Sequence, residues 1–518
     1  MASLVLVCAA AYIAYVLARA FYRLYLHPLA KFPGPSIAAV TSWYEAYYEI
    51  YLVGQYSRQI TKLHDQYGTL LLSHAIRLAP LTRALPGPIV RVTPDELHIR
   101  DPRFFDQVYS RSAHLDKEGW DKRFGCAGGL LTTVNAEDHK RRRAAVAPMF
   151  SRRSILDFIH IIYRHIDTFN TRMQEFEANT EPLNLSNAFP ALTGDIIMDY
   201  FFGFNYDQLR NPQFESFHDA FIKIGGVGHI ATQFPMLHPI MSSIPDRITG
   251  WLQPAAKTML KFKQDNEALI ARTLRGEDVK SNDAKKTIFQ EILSSKLPPS
   301  DKTQKRLEDE AQIIIGGGVE TTAFSLSRAA FHIINTPHIY ERLHKELVQV
   351  FPNRNDLDLA TLEKMPYLKA IIMESVRMSY GLSARNPRTH KNPLHYGDWV
   401  IPANTCISMT IPEVSHDESI FPCSHTFMPE RWLDDPKTAD GIPLDRFMVS
   451  FGRGTRSCLG TTLAYTEMYL TLGMMFRRYR FELHDSSVAD VELGHDFFIP
   501  VAKLDTKGLR VFVKRTED

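Results

Sequence analysis

The chain has no CxxC pair, and its five cysteines (Cys8, Cys126, Cys406, Cys423 and Cys458) are scattered and odd in number. This excludes a disulfide framework and a structural zinc site, and it suits a reducing compartment. Charge of one sign is also lacking. Sixty Lys and Arg stand against 58 Asp and Glu, a net charge of +2 over 518 residues, so no nucleic-acid footprint is present. Low-complexity tracts and internal repeats are missing, and no stretch reads as a linker between domains. What is there is an ordinary globular mixture, 45% apolar and 23% charged, with one exception at the N-terminus.

The exception is Leu4 to Ala18, fifteen residues without a charge. A helix of that length spans roughly 22 Å, short of a hydrocarbon core of about 30 Å. Ala2 to Leu26 is long enough once Arg19 and Arg23 snorkel to the interface. A cleaved signal peptide carries positive charge before its apolar run, whereas Arg19, Arg23 and Lys31 all follow it. The rival reading is a buried helix of the domain. The flanks favour an uncleaved anchor over residues 1–26, with the N-terminus across the membrane and the bulk of the chain in the cytosol. Residues 27–36 contain Pro28, Pro33, Gly34 and Pro35 and read as a stiff extended connector.

Residues 37–518 read as one large domain. Helical spacing marks Ser154–Glu177, Pro190–Gly203, Thr303–Asn335, Thr336–Val350, Pro366–Ser379 and Gly460–Arg480. Strand patterns are fewer: Ile89–Thr93, Trp399–Ile401, Thr405–Thr410 and Leu509–Val513. Gly276–Ser300 is a hydrophilic break expected to be a loop carrying a short helix. The fold class is α+β, predominantly α, with small sheets.

Phe451-Gly452-Arg453-Gly454-Thr455-Arg456-Ser457-Cys458-Leu459-Gly460 stands near the C-terminus, directly before a helical pattern. A lone cysteine is by default a small buried hydrophobe. Here the neighbours point elsewhere. A cysteine at a helix start gains thiolate stabilisation from backbone N–H groups and the helix dipole. Gly454 and Gly460 permit a tight turn and close approach of a flat group. Arg456 can pair with an acidic substituent of that group. The spacing F-x-x-G-x-R-x-C-x-G matches the haem-binding loop of the cytochrome P450 family at every defined position.

Other segments extend this resemblance. Glu374-Ser375-Val376-Arg377 resembles the family's E-x-x-R; alone it would read as a surface i, i+3 pair. Pro429-Glu430-Arg431-Trp432 resembles its P-E-R-[FW]. The resemblance implies that Glu374, Arg377 and Arg431 form a buried structural triad behind the haem. Gly316-Gly317-Gly318-Val319-Glu320-Thr321-Thr322 places three glycines inside a helix, at a cost of about 1 kcal/mol each relative to alanine. Close helix packing is the plain reason for them. Gly317–Thr322 also fit the family's [AG]-G-x-[DE]-T-[TS], where the helix opens over the iron and an acid and an alcohol deliver protons for O–O cleavage. That assigns Glu320 and Thr321 as catalytic, although Thr321 has the alternative of bonding back to a helix carbonyl. His139-Lys140-Arg141-Arg142-Arg143 resembles the family's [WH]-x-x-x-R and implies that His139 and Arg143 lie by the haem propionates, with Arg388 in the same role. The remaining basic residues, Lys140, Arg141, Arg142, Arg152 and Arg153, are by default a solvated face; the family fold puts them where an acidic reductase docks.

The resemblance covers nearly the whole chain. Val92–Asp101 and Leu192–Gly203 are similar to the fungal microsomal branch that includes trichodiene oxygenase. It implies a haem b monooxygenase with Cys458 as iron ligand and Phe451, Gly454, Arg456 and Gly460 around the cofactor. It also implies NADPH electrons through a partner cytochrome P450 reductase, an endoplasmic reticulum membrane, and a hydrophobic substrate such as a terpenoid or polyketide intermediate. Phe221–Leu237, Ser112–Leu131, Gly381–Asn386 and Phe497–Val501 are expected to line the pocket. Two alternatives share the loop: an isomerase or dehydratase of the same fold, which can dispense with the Glu320–Thr321 pair, and a non-catalytic haem sensor, which needs neither that pair nor an anchor.

The pattern breaks once. In that branch a segment like Leu63–Gly68 runs directly into one like Pro88–Pro94, but here nineteen residues, Thr69–Gly87, intervene. A surface loop is thermodynamically tolerable. Yet this stretch is rich in Leu and lacks acids, and we expect an intron read in frame.

Overall fold

The Thr303 hydroxyl accepts a hydrogen bond from the Arg306 backbone N–H and so starts the longest helix, Gln304–Asn335, called here the long helix. The structure is a computed structural model describing residues 2–75, 88–109, 115–119, 123–252, 256–277 and 286–516. The long helix runs through the main core and packs against Leu185–Phe202, Ala256–Leu274, Pro366–Ser379 and Thr461–Arg478. Leu185–Phe202 is buried on nearly every side, which explains why its sequence is apolar all round. It begins five residues before the expected start at Pro190. The Asn184 side chain caps it by accepting from Ser186 N–H, and Pro190 is carried inside the helix. Gly203, with φ of 76°, ends it.

Most other expected elements are present with altered ends. The pattern over Ser154–Glu177 splits at Phe158 into Arg152–Asp157 and Ile159–Asn179. Pro366–Ser379 agrees at both ends. The helix expected over Gly460–Arg480 stops at Arg478, because Tyr479–Leu483 pairs with Arg510–Arg515 in a three-stranded sheet completed by Leu183–Asn184. In the Gly276–Ser300 break, a Thr287–Gln290 capping box starts the short helix Ile288–Ser294.

The largest sheet orders its strands Ile89–Arg91, Glu96–Ile99, Cys406–Ser408, Arg388–Thr389 and Asp116–Lys117. Glu96–Ile99 and Cys406–Ser408 run parallel with Leu97 opposite Ile407, and the other pairs are antiparallel. The first seven residues of the unexpected segment, Thr69–Ala75, continue the helix Tyr56–Ala75. The rest of that segment lies outside the described residues.

At the N-terminus the helix Ala2–Phe21 stands clear of the body; Leu4, Leu6 and Leu17 are all more than 60% exposed. The chain after it is fastened. Leu29 and Phe32 are buried against the large sheet, and Arg91 N–H donates to the Pro33 carbonyl at 2.7 Å. A Cβ on Gly34 would collide with the Arg91 carbonyl, so glycine is required there by close approach. The buried Arg91 guanidinium donates to the carbonyl oxygens of Arg23 (2.8 Å) and Pro94 (2.7 Å).

Candidate functional site

The chain folds the Cys458 loop back on itself before the helix Thr461–Arg478 begins. Cys458 N–H donates to the Phe451 carbonyl at 2.8 Å, closing the loop. Gly452 and Gly454, with φ of 68° and 70°, occupy left-handed backbone that a side chain would strain. The tight-turn requirement expected at Gly460 is corrected: its φ is −79°, open to any residue. A Cβ there would lie in ordinary contact with Cys458 Sγ, so Gly460 keeps the face of the thiol slim. Gly452 was not singled out from the sequence as needing glycine, although its place between Phe451 and Arg453 was visible.

Cys458 opens onto an internal cavity of about 350 Å³, within the usual range for small-molecule sites. Cys458 lines that cavity and is exposed. Burial pushes its thiol up. The Gly460 and Thr461 N–H groups, the Thr461 hydroxyl and the Arg143 charge oppose that shift. These are the donors a thiolate would need at a helix start.

Another wall of the cavity is the glycine-rich turn of the long helix, and its three glycines have three different surroundings. A Cβ on Gly318 would run into the Ile197 side chain and one on Gly316 would press the Phe221 ring, whereas Gly317 faces open space. Close packing and an opened face are both realised, at different residues. Glu320 and Thr321 line the same cavity. The Thr321 hydroxyl donates to the Gly317 carbonyl at 2.9 Å, the back-bond weighed above, so this threonine is held by its own helix. Glu320 is buried. Its Oε2 lies 2.8 Å from His218 Nδ1, and its Oε1 is buried without a hydrogen-bond partner among the described residues.

Basic side chains gather on the same cavity. His139, Arg143, Arg388 and Arg456 all line it, joined by Lys117 from the Ser112–Leu131 stretch expected to line the pocket. His139 is placed one turn into Ala136–Val146, a helix capped by Asn135. Burial, aided by Arg456 and Lys117, pushes the His139 imidazole down to about 2, so it is neutral. Burial and mutual repulsion hold Arg456 down to about 10, and burial holds Arg388 down to about 10 as well. Arg456 donates to the carbonyls of Thr133 (2.5 Å) and Val134 (2.7 Å), and its Nε is buried without an acceptor among the described residues. Arg143 donates to the Ser457 carbonyl at 2.6 Å, tying this cluster to the cysteine loop. A mutually repelling cluster with an orphaned donor fits a dianionic ligand, and a sulfur donor beside it fits iron. The residues present therefore fit a haem with two propionates.

Behind the loop, Glu374 is fully buried and saturated. It accepts from Arg377 Nε and an Arg377 terminal nitrogen (both 2.8 Å), Arg431 Nε (3.0 Å), Trp432 Nε1 (2.9 Å) and Met428 N–H (3.0 Å). Arg377 also donates to the Ser415 (2.6 Å) and Ser424 (2.8 Å) carbonyls. Glu374, Arg377 and Arg431 are thus brought together, and Trp432 joins as a fourth member. The basic run is less free than its default reading. Arg141 and Arg142 both pair with the buried Asp301 at 2.9 Å, and Arg152 grips Glu363, leaving Lys140 and Arg153 exposed.

Each segment expected to line the pocket contributes: Phe221, Leu131, Leu382 and Phe498 are examples. Part of Ser112–Leu131 lies outside the described residues. Ile197 and Phe201 also line the cavity but were unassigned, because an all-apolar helix shows no preferred face in its sequence. His218 was likewise missed. It stands 102 residues before Glu320, and no local spacing links them.

A helical body around one cavity, with a cysteine loop at its edge and an acid and an alcohol on the long helix, is the frame of a haem-dependent monooxygenase. The chain belongs to the cytochrome P450 family, whose model matches residues 97–507. It is similar to the cytochrome P450 monooxygenase sdnE of Sordaria araneosa, at 40% identity over 97% of this chain and 96% of that protein. It is 37% identical to the cytochrome P450 monooxygenase tpcC of Cochliobolus heterostrophus, over 95% of this chain and 94% of that one. The tryptophan 6-hydroxylase fscE of Fusarium equiseti is also 37% identical, over 96% and 94%. Membership brings a haem iron cofactor, a redox partner that supplies electrons and a small-molecule substrate, and the relatives are fungal, as the resemblance implied.

Proposed function

We propose that Cys458 is the axial thiolate of a haem b and that the enzyme inserts one oxygen atom of O2 into a hydrophobic secondary metabolite, of terpenoid or polyketide type. One observation carries the reading: a cysteine sulfur, a cation cluster and the Glu320–Thr321 pair all face one apolar-walled cavity. The haem supplies dioxygen reduction and cleavage, favoured by electron density from the thiolate. The rest is the work of this chain. Gly460, Thr461 and Arg143 stabilise negative charge on Sγ. His139, Arg143, Arg388 and Arg456 hold the propionates. Glu320 passes protons into the cavity, and Thr321, fixed on the Gly317 carbonyl, receives them. Glu374, Arg377 and Arg431 brace the segment behind the cysteine loop. The overall balance is two electrons and two protons per O2, with one oxygen going to substrate and one to water.

The electrons come from NADPH through a cytochrome P450 reductase. Residues 1–26 form a single-pass anchor in the endoplasmic reticulum membrane, residues 27–36 a connector and residues 37–518 a cytosolic catalytic domain. The exposed apolar helix Ala2–Phe21 and the fungal relatives support this. The test is a carbon monoxide difference spectrum of the dithionite-reduced protein beside Cys458→Ala. We expect a red-shifted Soret band that the variant loses. An unchanged band in Cys458→Ala would remove the thiolate assignment.

A further inference from the structure

We infer that His218 is the solvent-side proton donor to Glu320, a positioning residue that feeds the cavity from outside. The inference rests on the reading of Glu320 as the carboxylate that serves the cavity. The two oxygens of Glu320 have different surroundings. Oε2 is 2.8 Å from His218 Nδ1, and Oε1 is buried, has no partner among the described residues and belongs to a side chain that lines the cavity. The His218 side chain is 29% exposed and that of Glu320 6%. The imidazole therefore bridges solvent and a carboxylate that solvent barely touches. It is also the first residue of the helix His218–Gln233, whose Phe221 and Gly225 roof the cavity.

The step is a proton transfer and balances as one. The Nδ1–H bond breaks as an O–H bond forms on Oε2; Glu320 releases a proton to the cavity; the imidazole regains one from bulk water. The local charges suit it. Burial disfavours the imidazolium, but the Glu320 carboxylate, by charge and hydrogen bond, outweighs burial with help from Asp219, so His218 titrates above its usual 6.5. Glu320 on the long helix and Asp219 on its own helix are the charged groups acting on the ring. Of the other elements packed on this helix, Leu185–Phe202 carries Asp195 and Asp199, Ala256–Leu274 carries Lys261 and Asp265, Tyr47–Tyr51 carries Glu49 and His495–Phe497 carries Asp496, and each of these is hydrogen-bonded or ion-paired to other residues.

Two readouts on the full-length holoenzyme test this. The first is the titration of 13C-labelled histidine by NMR, with His218 assigned by its loss in His218→Gln. We expect a midpoint above 6.5 that falls in Glu320→Gln; a midpoint below 6.5, or one that Glu320→Gln does not move, overturns the inference. The second is NADPH oxidation against pH with the reductase present. His218→Gln should slow it by roughly tenfold, below the 10²–10⁴ of a group touching the reactant, and flatten its alkaline limb. His218→Lys should restore the limb, displaced to higher pH. If Glu320→Gln slows turnover while His218→Gln keeps the parent rate and profile, this inference fails and the relay reading stands. If Glu320→Gln itself is without effect, the relay reading fails first. If His218→Gln is slow and His218→Lys does not rescue it, or the profile is unaltered, His218 is structural only. Should His218→Gln not bind haem, the signal lost in His218→Lys assigns His218, and the titration of the unmodified protein and of Glu320→Gln decides.

Discussion

Replacing Arg377 with Met takes from a buried anion the closer of its two guanidinium partners. Glu374 is 0% exposed and Arg377 1%, so neither loses its partner to water cheaply. The substitution removes both charge-assisted bonds to Glu374 and leaves the Ser415 and Ser424 carbonyls without this donor. Removing one partner of a buried pair costs about 3–5 kcal/mol. Arg431→Met takes only one bond from Glu374, and its other donations go to the Pro422 and Cys423 carbonyls near the surface. A charge-assisted hydrogen bond is worth about 1.5–3 kcal/mol, so this variant should cost less. Glu374→Gln combined with Arg377→Met and Arg431→Met should recover part of the loss, because no unpaired charge of the triad remains. Urea unfolding of the full-length holoenzyme, followed by tryptophan fluorescence and by haem release, ranks the variants. Equal costs for Arg377→Met and Arg431→Met, or a cost below about 1 kcal/mol for the former, would refute the reasoning from buried charge.

Three further outcomes follow from the structure. Gly318→Ala should destabilise by about 1–3 kcal/mol through overpacking on Ile197 and be relieved by Ile197→Val, whereas Gly317→Ala, facing open space, should be neutral or gain up to about 1 kcal/mol of helix propensity; thermal melts compare them. Burial opposes charge on Asp301, but hydrogen bonds from Arg141 and Arg142 outweigh it and depress its titration below 3.8. Its stabilisation is therefore present above that value and lost as pH falls through the lower folded one, so parent protein and Asp301→Asn should converge in acid unfolding below pH 3.8 and diverge above it. Sequencing the transcript should show a message without codons for Thr69–Gly87; a message encoding all nineteen residues would end the intron reading.

The Cys458 loop was legible because its pattern is local: ten consecutive residues carry the sulfur, the tight turn and the guanidinium. The helix Pro366–Ser379 was legible at both ends because Pro366 marks its first turn and its apolar residues recur at helical spacing. Two-residue strands such as Arg388–Thr389 were not, since they exist only through their partners Cys406 and Lys117. The start of Leu185–Phe202 was misplaced because a proline is the louder signal, while the Asn184 cap is quiet. His218 reaches Glu320 through a tertiary contact that no motif announces.

The fastening between the N-terminal helix and the large sheet has a mechanical consequence. Pro33, Gly34 and the carbonyl of Arg23 are held by one buried residue, Arg91, so little slack separates the apolar helix from the catalytic body. Membrane helices lie tilted by about 20° on average, and they adjust that tilt when bilayer thickness changes. A loosely tethered enzyme would absorb such a change in its linker. With Ala2–Phe21 anchored as proposed, the helix would act as a lever arm: a thicker or thinner bilayer would turn the whole body and with it the face offered to the redox partner. In that arrangement lipid composition would act on electron supply without touching the haem pocket.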